Sequence, residues 1–280
     1  MSYKTILVHL DSSARCVARV GFAAALANEH GAHLIGLLPT GLYEGSIPAD
    51  LIETGASDFI AASAAYLRLR AEGIAEAFQT QMKISRSISF ELRQIEGPTT
   101  NALIDHGRTS DLVVLGQEGD GVRTDTPSRG LVGEVMLGLG RPAVVVPYAG
   151  KFVAAPRRIM VAWNASREAA IALNAALPLL SRADKVTLLH LAEQGEPEDT
   201  HPLLQQHLAE WLGRHGISAA VDRLVSGVPM SDALLSRLCD LEIDMLVMGG
   251  YGHSRVRELV LGGMTREILA HMTVPVLMAH

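Results

Sequence analysis

Gly249, Gly250, Gly252, Gly262 and Gly263 crowd one short stretch of the chain, and Thr265 follows them closely. They lie between an apolar run, "DMLVMGG" at 244–250, and "MTREILAHM" at 264–272, whose apolar residues have helical spacing. Glycines placed between a strand and a helix let successive N–H groups converge on an anion. The start of the following helix adds partial positive charge, and a threonine in its first turn can donate a hydroxyl hydrogen bond. Arg255 and Arg257 stand in the intervening segment, where they could neutralise further negative charge. This is chemistry for the phosphate tail of a nucleotide. The spacing is neither a Walker A loop nor G-x-G-x-x-G, since the only Gly–Lys pair, Gly150–Lys151, is followed by Phe152.

Other chemistries fit less well. Gly252-x-Ser254 follows a strand as a nucleophile elbow would, but Val256 stands where the second glycine is required. His201 and His207 are six apart, on different faces of a helix, and neither neighbours a cysteine at metal-ligand spacing. His9 lies within a strand and reads as a core or sheet-face residue rather than a base. Cys16 and Cys239 form no CxxC pair and read as two buried thiols in a reducing compartment. With no close acid pair and no Cys/His constellation, the expectation is a binder, or at most slow ATP hydrolysis. No catalytic residue and no protein-held metal are expected.

The elements that must position these residues occur twice. "KTILVHLD" (Lys4–Asp11) and "RRIMVAWN" (Arg157–Asn164) correspond at a separation of 153 positions, and "AHLIGLL" meets "KVTLLHL" at the same separation. Further along, Gly116, Gly119, Gly130 and Pro142 meet Gly249, Gly252, Gly263 and Pro275 at a separation of 133. The first copy therefore holds 20 extra residues between its second and fourth strands. Short β-branched runs such as "TILVHL", "DLVVLG" and "PAVVVPY" alternate with helical patterns such as "ARVGFAAALANEHG", which ends at Gly31. Buried parallel strands with right-handed helical crossovers follow. The expected fold is two tandem doubly wound α/β domains, 1–150 and 151–280, each a five-stranded parallel sheet flanked by helices. Ligands of such sheets sit beyond the carboxyl ends of the strands, where the strand order reverses. In the first copy Arg129 and Val132 replace a glycine and the threonine, so that site is expected to be degenerate. The segment 39–57 reads either as a solvated loop or as a lid or partner surface over a binding cleft.

Composition narrows the classes. The chain of 280 residues carries a formal charge of -6 and no run of Lys or Arg, which argues against nucleic acid as partner. Neither a signal peptide nor an apolar stretch of about 18 residues is evident, so no membrane partner and a cytoplasmic location are expected.

The repeat resembles the universal stress protein family, whose nucleotide-binding members carry G-x2-G-x9-G-[ST] between the fourth strand and fourth helix. The resemblance spans nearly the whole chain and implies two domains of the adenine nucleotide alpha hydrolase-like type. It further implies ATP, with or without Mg2+, held by Gly249, Gly252, Gly262, Gly263 and Thr265, with Asn164 near the ribose. Two positions depart from the pattern. Gly263 stands where a Ser or Thr is usual, and Asn164 stands where an acidic residue ends the first strand. The resemblance also implies that the fifth strands, "RPAVVVPY" and "VPVLMAH", pair with each other, and it leaves room for a homodimer. The functional expectation is a stress-response protein acting as a nucleotide-dependent regulator. The competing reading is a nucleotide-free scaffold, or a binder of a small apolar ligand, with both sites vestigial.

Overall fold

A computed structural model describes residues 2–40, 57–84, 87–118, 130–152, 154–193, 202–251 and 263–280. The chain forms two compact units, one of residues 3–141 and 151–154, the other of residues 1–2, 142–150 and 155–280.

The first unit runs β1 (Thr5–His9), α1 (Cys16–His30), β2 (His33–Pro39), α2 (Ser57–Ile84), β3 (Phe90–Ile95), α3 (Thr99–Gly107), β4 (Leu112–Gly116) and α4 (Leu131–Leu139). Its strands lie in the order β3-β2-β1-β4 and pair in parallel. Ile6, Leu7 and Val8 are fully buried beside Leu112, Val113 and Val114, as strands covered on both faces require. Gly31 ends α1 at φ 62, a left-handed cap that a side chain would strain.

The second unit runs β5 (Ala143–Val146), β6 (Arg158–Trp163), α5 (Arg167–Leu180), β7 (Lys185–Glu193), α6 (Pro202–Arg214), β8 (Ala219–Ser226), α7 (Met230–Asp240), β9 (Met245–Gly249), α8 (Gly263–His271) and β10 (Val276–Ala279). The order β10-β9-β6-β7-β8 is parallel throughout and repeats the doubly wound pattern of the first unit. On the far side of β10, β5 runs antiparallel to it, with Val145 opposite Val276 and Val144 opposite Leu277. All four of these valines and leucines are fully buried, and the pairing covers an edge of β10 that would otherwise be free.

In the first unit β1 and β4 are neighbours, and in the second β6 and β9 are, with the chain running on from β6 to β7 on one side and from β9 to β10 on the other. That reversal opens a crevice past the carboxyl ends of β1 and β4, and again past β6 and β9. No described helix is long and apolar enough to cross a membrane.

One expectation is corrected. Cys16 is buried, but Cys239 is exposed. The buried face of α7 carries Ala233, Leu234 and Leu238, and the next residue is rotated by about 100° to the solvent side. The segment 41–56 lies outside the described residues, so the choice between loop and lid does too.

Candidate functional site

In the second unit, Asn164 follows β6 and begins a tight turn into α5. Its Oδ1 accepts from the N–H of Ser166 at 3.2 Å, and Ala165 between them adopts φ 57. Ser166 caps α5, its Oγ accepting from the Ala169 N–H at 3.1 Å. Across the crevice, β9 ends at Gly249. A Cβ there would lie 2.6 Å from the Ala169 nitrogen and 2.9 Å from the Glu168 carbonyl carbon. Gly249 is therefore demanded by close packing of β9 on the first turn of α5. Glu168, at the same contact, is buried, and among the described residues its Oε2 has no hydrogen-bond partner.

Tyr251 carries the chain away from β9 at φ 59, so the left-handed residue of this turn is a tyrosine rather than a glycine. Its N–H donates to the Oγ1 of Thr265 at 3.4 Å, and Thr265 is buried. This bond ties the end of β9 to the start of α8, and among the described residues nothing accepts the threonine proton. Gly263 opens α8 and is exposed, with nothing within 4 Å of a Cβ placed on it. Among the described residues, no group accepts from the N–H of Gly263 or of Thr265. Asn164, Gly249, Gly263 and Thr265 thus share one end of the sheet. Gly252 and Gly262, with Ser254, Arg255 and Arg257, lie outside the described residues.

The first unit uses the same frame differently. Glu118, two residues past β4, accepts from the N–H of Gly130 at 2.8 Å and from that of Val132 at 2.9 Å. These amides open α4 and correspond to those of Gly263 and Thr265. Gly130 has no side-chain cap of its own, so the Glu118 carboxylate satisfies donors that the helix cannot. Beneath, Arg19 fills the strand end. A Cβ on Gly116 would overlap its guanidinium, whose Nε donates to the His9 carbonyl at 2.8 Å. Arg19 Nη2 lies 2.9 Å from Asp11 Oδ1, and the same carboxylate accepts from the N–H of Ser13 at 3.0 Å and its hydroxyl at 2.6 Å.

The electrostatics follow from burial and this pairing. Burial alone would raise the Asp11 carboxyl. Arg19, with help from His9 and Ser13, outweighs it and holds the group well below the usual carboxylate range. Burial lowers His9 to about 4, and the Arg19 charge adds to that. Burial raises the Cys16 thiol, so it stays protonated and inert.

Glu118 and Arg19 were not singled out by the sequence reading. The repeat offsets carry the signal for both. Arg19 corresponds to Ala172, so an arginine stands on the apolar face of a helix where the other copy has alanine, and Glu118 corresponds to Tyr251. His9 is buried, as expected of a strand residue, and His207 is exposed. Among the described residues, no group of three or more His, Cys, Asp or Glu gathers as a metal site would require.

Comparison with known proteins shows what the chain is similar to. Residues 156–280 match the universal stress protein family. The universal stress protein Slr1230 of Synechocystis sp. is 26% identical over 170 residues, which cover 60% of this chain and 57% of that protein. The chain therefore spans little more than half the length of that curated relative. The crystal structure of a universal stress protein from Archaeoglobus fulgidus superposes with a TM-score of 0.74 at 15% identity, covering 98% of this chain and 97% of the other, a likeness of fold. Another from Archaeoglobus fulgidus, solved in complex with dAMP, covers 52% of this chain and 98% of its own at 15% identity and a TM-score of 0.35. It is thus the C-terminal part of the chain, residues 156–280, that is similar to the universal stress protein family.

Proposed function

We propose that the C-terminal half binds an adenine nucleotide, ATP in the first instance, and that the chain acts as a nucleotide-dependent regulator in a cytoplasmic stress response. The observation that carries this reading is the contrast at the two helix starts. The amides of Gly130 and Val132 are occupied by Glu118, whereas those of Gly263 and Thr265 have no internal acceptor among the described residues. A phosphate set on α8 would take two charge-assisted hydrogen bonds and the favourable end of the helix dipole. The Thr265 hydroxyl proton supplies a third donor, and the resemblance adds Gly252 and Gly262 to the phosphate contacts. Asn164 and the unfilled oxygen of Glu168 offer acceptors for ribose hydroxyls.

The donor set does not suit a protein-held metal. Asn164 offers an amide where a carboxylate would be needed, and its oxygen already accepts from Ser166. Magnesium would travel on the phosphates.

Mass spectrometry of purified, undialysed protein tests the reading by looking for co-purified adenine nucleotide, with calorimetric titration of ATP beside it. Thr265→Val should weaken ATP binding. Its effect on folding is read separately by thermal melting, because the same oxygen holds the Tyr251 amide. Absence of both co-purified nucleotide and a binding heat would replace this reading with that of a nucleotide-free scaffold.

A further inference from the structure

We infer that α2 presents a face on which a second copy of the chain docks, helix against helix in the antiparallel sense. One side of α2 is built into the first unit: Ala71, Phe78 and Met82 are buried, and the Phe78 ring meets Phe90 edge-on. At about 100° per residue, Tyr66, Leu69, Gly73, Ala77, Thr80 and Ile84 recur on the opposite side. All six are exposed, Tyr66 to 57%, Leu69 to 68% and Ile84 to 79%. A helix that serves only its own domain keeps that side polar. The repeat shows that the fold does not require the apolar stripe. In the second unit α6 makes the same crossover, between β7 and β8, in 13 residues against the 28 of α2. Its exposed residues include Gln206, His207, Glu210 and Arg214, and Gln206 donates to Glu210 at 3.0 Å. The apolar side is thus peculiar to α2.

Charge selects the occupant. Glu72 and Lys83 are exposed on the same flank of the stripe, and among the described residues neither makes an ion pair within its own chain. Two copies of α2 laid antiparallel, with Ala77 near the centre, bring Glu72 beside the partner's Lys83, and the two-fold axis makes that contact twice. The same register sets Leu69 beside the partner's Ile84 and Gly73 beside the partner's Thr80. Large side chains then meet at both ends, about 22 Å apart along the helix, and small ones let the helices approach between them. Glu76 falls near its own copy, a like-charge contact that keeps the pair weak. A lipid surface suits the stripe less well, because interfacial helices carry Lys and Arg on their polar face, whereas Glu72 and Glu76 stand beside this one. None of this rests on nucleotide binding by the C-terminal half.

Sedimentation velocity of the full-length chain over about a hundredfold range of concentration tests this. Wild type should pass from monomer to dimer as concentration rises. Leu69→Glu should stay monomeric throughout, yet melt at the wild-type temperature, because the side chain that it replaces is exposed. Lys83→Glu and Glu72→Lys should each raise the dissociation constant by about three- to tenfold, and the double exchange should recover wild-type association. That recovery is the readout that a merely local effect on either residue would not give. A wild type that is monomeric at every concentration, a dimer that survives Leu69→Glu, or a double exchange without recovery would overturn the proposal. So would a monomeric wild type that binds anionic vesicles and loses them in Leu69→Glu, which would give the face to a lipid surface.

Discussion

Arg19 and Asp11 form a buried ion pair, Nη2 to Oδ1 at 2.9 Å, at the carboxyl end of β1. The corresponding residues of the other half are Ala172 and Asn164, so the same strand end is built once with charge and once without. Removing one partner of a buried pair leaves the other uncompensated, which costs about 3–5 kcal/mol. Asp11→Asn should cost about that much, because Arg19 is almost wholly buried. Arg19→Ala should cost less, since Asp11 is partly exposed and keeps its Ser13 bonds. The double variant copies the neutral solution and should recover part of the loss, with a coupling of about 2 kcal/mol in urea denaturation. Strict additivity of the two changes would contradict the pairing.

The same cluster sets a pH dependence. His9 is neutral in the folded chain because its value is lowered to about 4, whereas an unfolded histidine titrates near 6.5. The unfolded state therefore binds more protons in that interval, and stability falls as pH drops from about 6.5 toward 4, by at most about 1.4 kcal/mol per pH unit. Asp11, held below the usual range, continues the loss below about pH 4, where the unfolded carboxyl protonates first. Urea midpoints measured across this range should fall steadily, and His9→Gln should flatten the upper part. A wild-type curve that is level between about pH 6.5 and 4.5 would contradict the assignment.

The glycines of the C-terminal stretch separate by role. Gly249→Ala places a Cβ 2.6 Å from backbone, and backbone cannot swing aside as a side-chain tip can. It should lose about 1–3 kcal/mol of stability. Gly263→Ser meets open space, should leave melting unchanged, and should tighten nucleotide binding by adding a hydroxyl. Gly263→Asp should keep or slightly raise stability, because a carboxylate suits a helix start, yet abolish nucleotide binding by satisfying the amides as Glu118 does. Retained binding in Gly263→Asp would remove the α8 amides from the site.

Much of this fold was legible in the sequence because period and repetition are local signals. β-branched runs such as "TILVHL" and the cap glycine at 31 mark their elements without tertiary knowledge, and the two offsets expose the duplicated strand order. The site was legible only in outline. Gly249 reads as a phosphate glycine, yet its need for a bare Cα comes from Ala169, a residue 80 positions away whose proximity only folding creates. Degeneracy of the first half reads from Arg129 and Val132 as missing donors. Backbone donors are in fact present there and are taken by Glu118, because helix amides exist whatever the side chains are.

Strain beside the site offers an independent check. Ala165 sits at φ 57 between Asn164 and Ser166, where a Cβ crowds the backbone. Ala165→Gly should raise stability by about 1 kcal/mol in thermal or chemical unfolding. A loss of stability instead would contradict the left-handed turn that aims Asn164.

The central claim is that one half is open to a nucleotide and the other is closed by its own side chains. Its most direct measurement is titration of isotope-labelled full-length protein with ATP, with binding stoichiometry taken from calorimetry on the same sample. The account predicts one nucleotide per chain, with the Gly263 and Thr265 amides shifting and those of Gly130 and Val132 still. Shifts at Gly130 and Val132 in wild type, two nucleotides per chain, or no binding at all would contradict it.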